Sequence, residues 1–112
     1  MNYIKKLREV KPLVHNITNY VTVNDVANAI LAIGGSPIMS DEITEVAQMT
    51  SISNALNINI GTLNQVKIAS MFEAGKASNA CQHITVLDPV GAGATDLRTN
   101  TCKDLLAQIH FD

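Results

Sequence analysis

The sequence of 112 residues is long enough for one small domain. Hydrophobic residues make up 46% of it, which is enough for a core, and aromatic residues only 4%, so that core should be aliphatic. The formal net charge is -2, the pI is about 5.8, and no run of basic residues occurs. This composition argues against proteins that bind nucleic acid or acidic membrane surfaces.

Targeting signals are also missing from the sequence. No apolar run approaches the ~20 residues of a membrane-spanning helix, and the charged residues 1–8 are not followed by the apolar stretch of a signal peptide. Cys81 and Cys102 are too few for a disulfide framework. The sequence therefore predicts a cytoplasmic protein with reduced thiols.

The chain opens with a predicted helix and a predicted strand. Residues 1–10 are typical of a short polar helix, which Pro12 ends. Because a proline keeps the chain extended, Leu13–His15 should form a strand. The side chains of Asn16–Asn19 are of the kind that cap and turn, so this stretch is predicted to be a polar loop.

A second helix and a second strand follow this loop. Five apolar residues share one helical face by their spacing: Val23, Val26, Ala27, Ile30 and Leu31. Gly34-Gly35 is predicted to end that helix. Ser36–Met39 is too short for a helix and is predicted to be a short strand.

The middle of the chain repeats this order. Asp41-Glu42 provides acidic residues of the kind found at helix starts, ahead of the apolar residues Ile43, Val46 and Ala47. Residues 54–60 alternate in polarity and predict a third strand. Thr62 and Gln65 fit the N-cap and third helical position of a capping box. The helix predicted there carries Ile68, Met71, Phe72 and Gly75 on one side.

The last predicted strand, Ile84–Leu87, is a continuous β-branched run of the kind that is buried on both faces. The final helix is marked by Cys102, Leu105, Leu106 and Ile109. The order is one helix followed by four strand–helix units. This alternation predicts an α/β fold, with a mostly parallel sheet and helices on its faces.

Ligands of open α/β sheets bind beyond the carboxyl ends of the strands. Four predicted loops share that edge: Asn16–Asn19, Met39–Asp41, Gly61-Thr62 and Asp88–Thr95. The polar groups of the first could bind a neutral polar ligand or cap a helix. Met39 could contact an apolar ring through its thioether or be an ordinary core residue. Gly61 permits a close approach or simply a turn.

Asp88 is the most informative single residue. A carboxylate at the end of an apolar strand is costly to desolvate unless it meets a cation or strong donors. Gly91 and Gly93 permit positive φ angles, and their N–H groups could bind phosphate oxygens beside a helix N-terminus. The alternative is a tight strand-to-helix turn in which Asp88 serves as a structural cap.

Several other sites have little support. Residues 91–96 miss the last glycine of the dinucleotide-binding motif, and no P-loop occurs. His15 lies in a predicted strand and His83 precedes one, so each is expected to be structural. The Cys81–His83 stretch lacks the spacing of a zinc site. No serine or cysteine has a convincing base, so nucleophilic catalysis is not predicted.

Several blocks of this sequence resemble the hydroxyethylthiazole kinase family. They are Pro12–Asn19, Asn24, Ala27-Asn28, Gly34–Met39, Asn59–Leu63 and Leu87–Thr95, with Arg98 and Thr99. The blocks occur in order across nearly the whole chain. The resemblance implies a partial ribokinase-like three-layer α/β fold. It also implies phosphorylation of the hydroxyl of 4-methyl-5-(2-hydroxyethyl)thiazole, a thiamine precursor, with ATP and Mg²⁺, in a homotrimer with thiazole sites between subunits.

The resemblance also assigns residues by position. Asn19, Val21, Met39 and Gly61 resemble substrate-binding residues of the thiazole pocket. Asp88 resembles the acidic residue at the magnesium and phosphate end, beside the phosphate-binding Gly91 and Gly93.

Family members are more than twice this length, so residues 1–112 are expected to be the N-terminal part of a single ribokinase-like domain. The resemblance places an Arg-Gly-Asn strand, a nucleotide-contacting Thr and an anion hole with the catalytic Cys or Asp in the absent half. No catalytic residue is therefore predicted in this chain. An inactive fragment that keeps part of the thiazole-binding surface is the alternative.

Overall fold

The computed structural model of the protein describes residues 2–112, in which helices and strands alternate. In chain order they are α1 (Tyr3–Val10), β1 (Leu13–Ile17), α2 (Val23–Ile33), β2 (Ser36–Met39), α3 (Val46–Ile52), β3 (Ala55–Asn59), α4 (Gln65–Ala80), β4 (Ile84–Asp88) and α5 (Asp96–Gln108). This order confirms the predicted α/β fold. Within residues 2–112, no helix has the length and apolar character that a membrane crossing requires.

The four strands form one parallel sheet in the order β2-β1-β3-β4. The chain moves from β1 to β2 in one direction, and then from β2 past β1 to β3 and on to β4 in the other. Because such crossovers are right-handed, α2 lies on one face of the sheet and α3 and α4 lie on the opposite face. The direction reverses between β1 and β3, which makes the carboxyl ends of these two strands the topological switch point.

The hydrophobic core lies between one face of the sheet and three helices. Ile17, Leu56 and Ile58 of the sheet are almost fully buried there. The other buried apolar residues of this cluster are Val46 of α3, Ile60, Met71 and Ala74 of α4, Leu105 of α5 and Ile109. The core contains no buried aromatic side chain among the described residues, as the composition predicted.

The opposite face of the sheet is covered less completely. Within residues 2–112, β4 is an edge strand, and Ile84 and Val86 are 55% and 47% exposed, whereas Thr85 between them is buried. The prediction that this strand is buried on both faces is therefore wrong. A continuous apolar run indicates only that neither face of the strand is polar. It does not show which face is covered by a neighbouring element.

Two helices have leucines that the spacing placed on a core face but that lie at the surface. Leu31 of α2 is 57% exposed and Leu106 of α5 is 58% exposed. In α5 the neighbouring Leu105 is buried in the core, and in α2 the neighbouring Ile30 is half-buried. The contact faces of both helices are narrower than the apolar pattern predicted.

Two predicted helix starts are displaced toward the C-terminus. The segment that begins at Asp41-Glu42 forms a turn, because the Glu42 carboxylate accepts hydrogen bonds from the N–H and hydroxyl of Thr44, and α3 begins only at Val46. The capping box at Thr62 and Gln65 does not form either. The N-cap of α4 is Asn64, and the Thr62 hydroxyl instead accepts a hydrogen bond from the N–H of Tyr20.

The polar residues within the strands form hydrogen bonds across the sheet. Asn16, predicted to lie in a loop, belongs to β1 and is the register partner of Asn57 in β3. Nδ2 of Asn57 donates to Oδ1 of Asn16, and Nδ2 of Asn16 donates to the carbonyl oxygens of Val14 and Ile38. This explains the polar residue in the middle of β3, because a buried amide is stable where its polar atoms have partners.

His15 joins the sheet to the loop that follows β2. Its Nε2 lies 2.8 Å from the carbonyl oxygen of Ser40, which can only accept, so Nε2 carries the proton. Nδ1 then accepts from the Thr50 hydroxyl at 2.8 Å. Burial lowers the pKa of His15, partly opposed by the bond to Ser40. The ring is therefore a neutral structural group, as the sequence predicted.

We expect His15 to make the protein less stable in acid. The pKa of His15 is lower in the folded protein than in the unfolded chain, so as the pH falls the unfolded chain takes up the proton first. The stability that His15 contributes is therefore complete above about pH 6.5 and is lost as the pH falls toward the folded pKa. The loss should be at most about 1.4 kcal/mol per pH unit. Urea unfolding at pH 7.5 and pH 5.5 measures it. The pH dependence should be smaller in His15→Gln, and an equal pH dependence in both proteins would contradict this role.

Candidate functional site

The carboxyl ends of β1, β3 and β4 enclose a cavity of about 370 Å³ at the switch point, which we call the switch-point crevice. Its lining residues are Asn19, Val21, Thr22, Asn59, Gly61, Asp88 and Val90. The structure thus brings together three of the predicted substrate-binding residues and the predicted metal-binding aspartate. They come from three separate loops, as expected of a site at this edge of a parallel sheet.

The side chain of Asn59, the last residue of β3, connects these loops. Its Oδ1 accepts hydrogen bonds from Nδ2 of Asn19 at 3.0 Å and from the N–H of Gly61 at 2.9 Å. Its Nδ2 donates to Oδ2 of Asp88, its register partner in β4, at 3.0 Å. Asn59 is only 6% exposed. One buried amide therefore fixes the relative positions of all three strand ends.

Asn19 is held on its other side by the start of α2. Its Oδ1 accepts from both the N–H and the hydroxyl of Thr22 at 3.0 Å. Thr22 occupies the N-cap position of α2 but makes no side-chain capping bond. Because Oδ1 of Asn19 is used by Thr22, its Nδ2 must face Asn59, and the amide has one orientation in the crevice.

Gly61 is required by the closeness of its neighbours. A Cβ at this position would lie 2.9 Å from Oδ1 of Asn59 and 3.0 Å from Cβ of Asn19. The carbonyl oxygen of Gly61 accepts a hydrogen bond of 2.7 Å from Nη2 of Arg98 in α5. The predicted close approach at Gly61 is therefore made first by the protein's own side chains.

In the glycine loop between β4 and α5, the two predicted phosphate-binding residues, Gly91 and Gly93, differ in whether their backbone N–H groups are free. Gly91 (φ +78°) and Gly93 (φ +92°) both adopt the left-handed region. A Cβ on Gly91 would also lie 2.6 Å from Cδ of Arg98. The N–H of Gly93 donates to the Thr99 hydroxyl at 2.8 Å, whereas that of Gly91 has no acceptor within residues 2–112. Gly91 is thus the better placed donor for a bound anion.

Asp88 is exposed to the crevice, and within residues 2–112 its side chain accepts a hydrogen bond only from Asn59. Its carboxylate accepts from no N–H of its own loop, where only its backbone carbonyl bonds the N–H of Val90, so the structure gives no support to a capping role of the side chain. No group of three or more His, Cys, Asp or Glu side chains that could hold a metal ion occurs in the described part of the chain. A single carboxylate still fits Mg²⁺, which proteins hold through one or two carboxylates together with substrate phosphates.

Met39 lies in a different cavity. It ends β2 beside Asn16, its register partner, and is 37% exposed. It lines a pocket of about 110 Å³, which we call the lysine pocket, with Asn16, Ile17, Thr18, Tyr20, Val23, Ser40, Asp41 and Lys67. The two cavities share no residue, but both use the segment Thr18–Val23. The structure therefore does not bring Met39 into the crevice with Asn19, Val21 and Gly61.

Two contacts of these cavities were not predicted. Arg98 reaches from α5 to the Gly61 carbonyl, and Lys67 of α4 is 3% exposed and donates from Nζ to the Thr18 carbonyl oxygen. The sequence contained a signal for Lys67, because a cation in the first turn of a helix is disfavoured by the helix dipole. No such signal exists for the partner of Arg98, since the contact spans elements far apart in sequence.

Comparison with known proteins identifies the family. A sequence model described as the hydroxyethylthiazole kinase family matches residues 4–112. The chain belongs to the hydroxyethylthiazole kinase family. The hydroxyethylthiazole kinase of Clostridium acetobutylicum is 56% identical over 108 residues, which are 96% of this chain and 40% of that protein. The one from Clostridium beijerinckii is 58% identical over 106 residues, 95% of this chain and 38% of that protein.

The structure agrees with this membership. A solved structure of the hydroxyethylthiazole kinase protein of Pyrococcus horikoshii superposes with a TM-score of 0.91 at 46% identity, covering 94% of this chain and 41% of that one. The chain thus spans about 40% of the length of the hydroxyethylthiazole kinases it matches. The resemblance stated from the sequence blocks is confirmed, and three of those blocks contribute lining residues to the crevice: Pro12–Asn19, Asn59–Leu63 and Leu87–Thr95.

We expect Asn59→Ala to lower the free energy of unfolding by about 1–3 kcal/mol, because it leaves buried donors of Asn19 and Gly61 without their acceptor. Asn24→Ala is the matched control, since Asn24 is exposed on α2 and should change stability by less than about 0.5 kcal/mol. Urea denaturation of both variants measures the difference. Equal stabilities of the two variants would show that Asn59 does not hold the strand ends together.

Proposed function

We propose that the protein containing this chain phosphorylates the hydroxyl of 4-methyl-5-(2-hydroxyethyl)thiazole with ATP, in thiamine biosynthesis or salvage. The observation that carries this proposal is the crevice at the switch point, where Asn19, Gly61 and Asp88 converge in a member of the hydroxyethylthiazole kinase family. The test is to express the protein from its gene and to measure whether it consumes ATP only when the thiazole alcohol is present. Absence of turnover in a folded protein would refute the proposal.

The described residues supply positioning, on which phosphoryl transfer largely depends. Asn59 holds the Asn19 amide and the Asp88 carboxylate on neighbouring strands, so a neutral polar ligand at Asn19 and a cation at Asp88 would be adjacent. Val21 is 88% exposed and provides an apolar surface at the rim. We assign the hydroxyl end of the substrate to the side of Asn19, Val21 and Gly61, its thiazole ring to the lysine pocket that Met39 lines, and the phosphate end to the side of Asp88.

Asp88 is the residue that would hold Mg²⁺, and the free N–H of Gly91 would contact a phosphate oxygen. When bound, ATP would supply the phosphoryl group and Mg²⁺ would neutralise its charge. Gly93 can take part only if its N–H leaves the Thr99 hydroxyl. The start of α5 at Asp96, with Thr95 as N-cap, directs the positive end of the helix dipole toward this loop.

We propose that residues 1–112 form the N-terminal part of one ribokinase-like domain. The N–H of Asp112 donates to the carbonyl oxygen of Thr85 at 2.8 Å, and its carboxylate accepts from the N–H of Thr85 at 3.0 Å. These bonds bring the chain after α5 alongside β4, the strand whose outer edge is otherwise free within residues 2–112. A further strand beside β4 would extend the sheet past Asp88 and enlarge the site there.

By the same resemblance, we propose that the protein is a cytoplasmic homotrimer with thiazole sites between subunits. The segment between the two cavities supports this, because Tyr20 and Val21 are 66% and 88% exposed next to a buried polar network. Apolar side chains in such a position would be covered by a neighbouring subunit. Sedimentation of the protein expressed from its gene tests the oligomeric state, and a monomer would contradict it.

We expect Asp88→Asn to reduce kcat by at least about 100-fold, because it removes the charge that holds the cation at the phosphate end. Loss of one electrostatic contact to a transition state has an effect of this size in other enzymes. Asp104→Asn on the exposed face of α5 is the control for a lost carboxylate and should keep the activity. Steady-state kinetics at several Mg²⁺ concentrations measure the effect. Similar kcat values for the two variants would remove Asp88 from the metal site.

We expect Met39→Ala to raise the KM for the thiazole alcohol by about tenfold, since burial of a methionine side chain against a ligand is worth about 1.5 kcal/mol or more. Leu106→Ala is the control, because Leu106 is an exposed apolar residue that lines neither cavity, and it should leave the KM unchanged. An unchanged KM would mean that the lysine pocket, which Met39 lines, does not bind the thiazole ring.

A further inference from the structure

Lys67 is a buried cation without a carboxylate partner. It lies three residues after the N-cap of α4 and is 3% exposed. Within residues 2–112 no salt bridge involves it. Its Nζ donates to the carbonyl oxygen of Thr18 and lies 4.7 Å from the ring centroid of Tyr20. Both partners belong to the segment that links β1 to α2.

This position is unfavourable for a lysine. Burial lowers the pKa of Lys67, and the charge of Asp41 only partly opposes that effect. The positive end of the α4 dipole also repels a cation in the first helical turn. An uncharged residue of similar shape, such as methionine, would avoid both costs. The stability of α4 therefore does not explain the lysine, and its contacts with Thr18 and Tyr20 do.

These contacts hold a segment that serves both cavities. Thr18 and Tyr20 line the lysine pocket, whereas Asn19, Val21 and Thr22 line the switch-point crevice. On the crevice side the segment is held by Asn59 and by the Thr62 hydroxyl, which accepts from the N–H of Tyr20. On the pocket side Lys67 provides the charged contacts. Without them, Thr18 and Tyr20 would be less restrained.

We propose that Lys67 is a positioning residue that fixes residues 18–22 as a common wall of the two cavities, and that it thereby sets the affinity for the thiazole alcohol. It does so through the Thr18 carbonyl and the Tyr20 ring, without touching the reacting atoms. The statement about affinity rests on the proposed function, whereas the statement about residues 18–22 does not.

Amide hydrogen exchange tests the position of the segment without any substrate. In Lys67→Met, the amides of Tyr20 and Thr22 should exchange about tenfold faster, the effect expected from losing a hydrogen bond of a charged donor, while the amide of Ile58 in the core remains protected. Lys76→Met, at an exposed position of the same helix, is the control and should change neither amide. Unchanged exchange at Tyr20 and Thr22 in a folded Lys67→Met protein would overturn the proposal.

Steady-state kinetics test the consequence for the substrate. Lys67→Met should raise the KM for the thiazole alcohol about tenfold and change kcat by less than about threefold, because a positioning contact acts mainly on binding. Lys67→Arg keeps a charged donor and should recover part of the lost affinity. A KM equal to that of the unmodified protein, or a loss confined to kcat, would contradict the assignment.

A second variant covers the case in which Lys67→Met does not fold. Tyr20→Leu removes the ring beside the ammonium at a position that is 66% exposed, so folding is not at risk. It should speed exchange at Thr22 two- to threefold, in line with about 0.5 kcal/mol for a cation–π contact. No change at Thr22 would overturn the proposal. If the unmodified protein lacks thiazole kinase activity, the proposed function fails, and the exchange data still decide the role of Lys67.

Discussion

The requirement that a buried amide satisfy its hydrogen-bonding atoms determines the arrangement of this site. Asn59 ends the strand that carries the fully buried Leu56 and Ile58, and its amide would cost stability there if its polar atoms had no partners. Its partners come from the loop after β1, from its own loop and from β4. The bonds that make Asn59 tolerable therefore also bring Asn19, Gly61 and Asp88 into one cavity.

The sequence was sufficient to predict the α/β fold and the edge of the sheet at which the site lies, because both follow from the alternation of strands and helices. Asn19, Gly61 and Asp88 could be placed together since each follows a strand and all the strands are parallel. Met39 also lies at the end of a strand but lines the neighbouring pocket. In a four-residue strand the sequence pattern does not reveal which cavity the last side chain enters.

The remaining errors arise where contacts between distant residues decide the outcome. The Thr62 hydroxyl bonds the N–H of Tyr20 in place of a helix terminus, and Asn64 takes the capping position. Both residue types can cap, and only the position of the β1–α2 segment determines which of them does. The polar Asn57 within β3 is explained in the same way, since its partner Asn16 is 41 residues away in sequence. Local propensity describes each residue's options but not its partner.

Residues 18–22 form a wall that the two cavities share. Thr18 and Tyr20 line the lysine pocket, whereas Asn19, Val21 and Thr22 line the crevice. The segment is not a helix or a strand, and its position is therefore not set by regular backbone hydrogen bonds. Side chains on its two sides must set it instead, namely Asn59 and Thr62 from β3 and its loop and Lys67 from α4. A buried, charged donor is suited to this task, because its hydrogen bond to a carbonyl oxygen costs more free energy to break than a bond from a neutral donor.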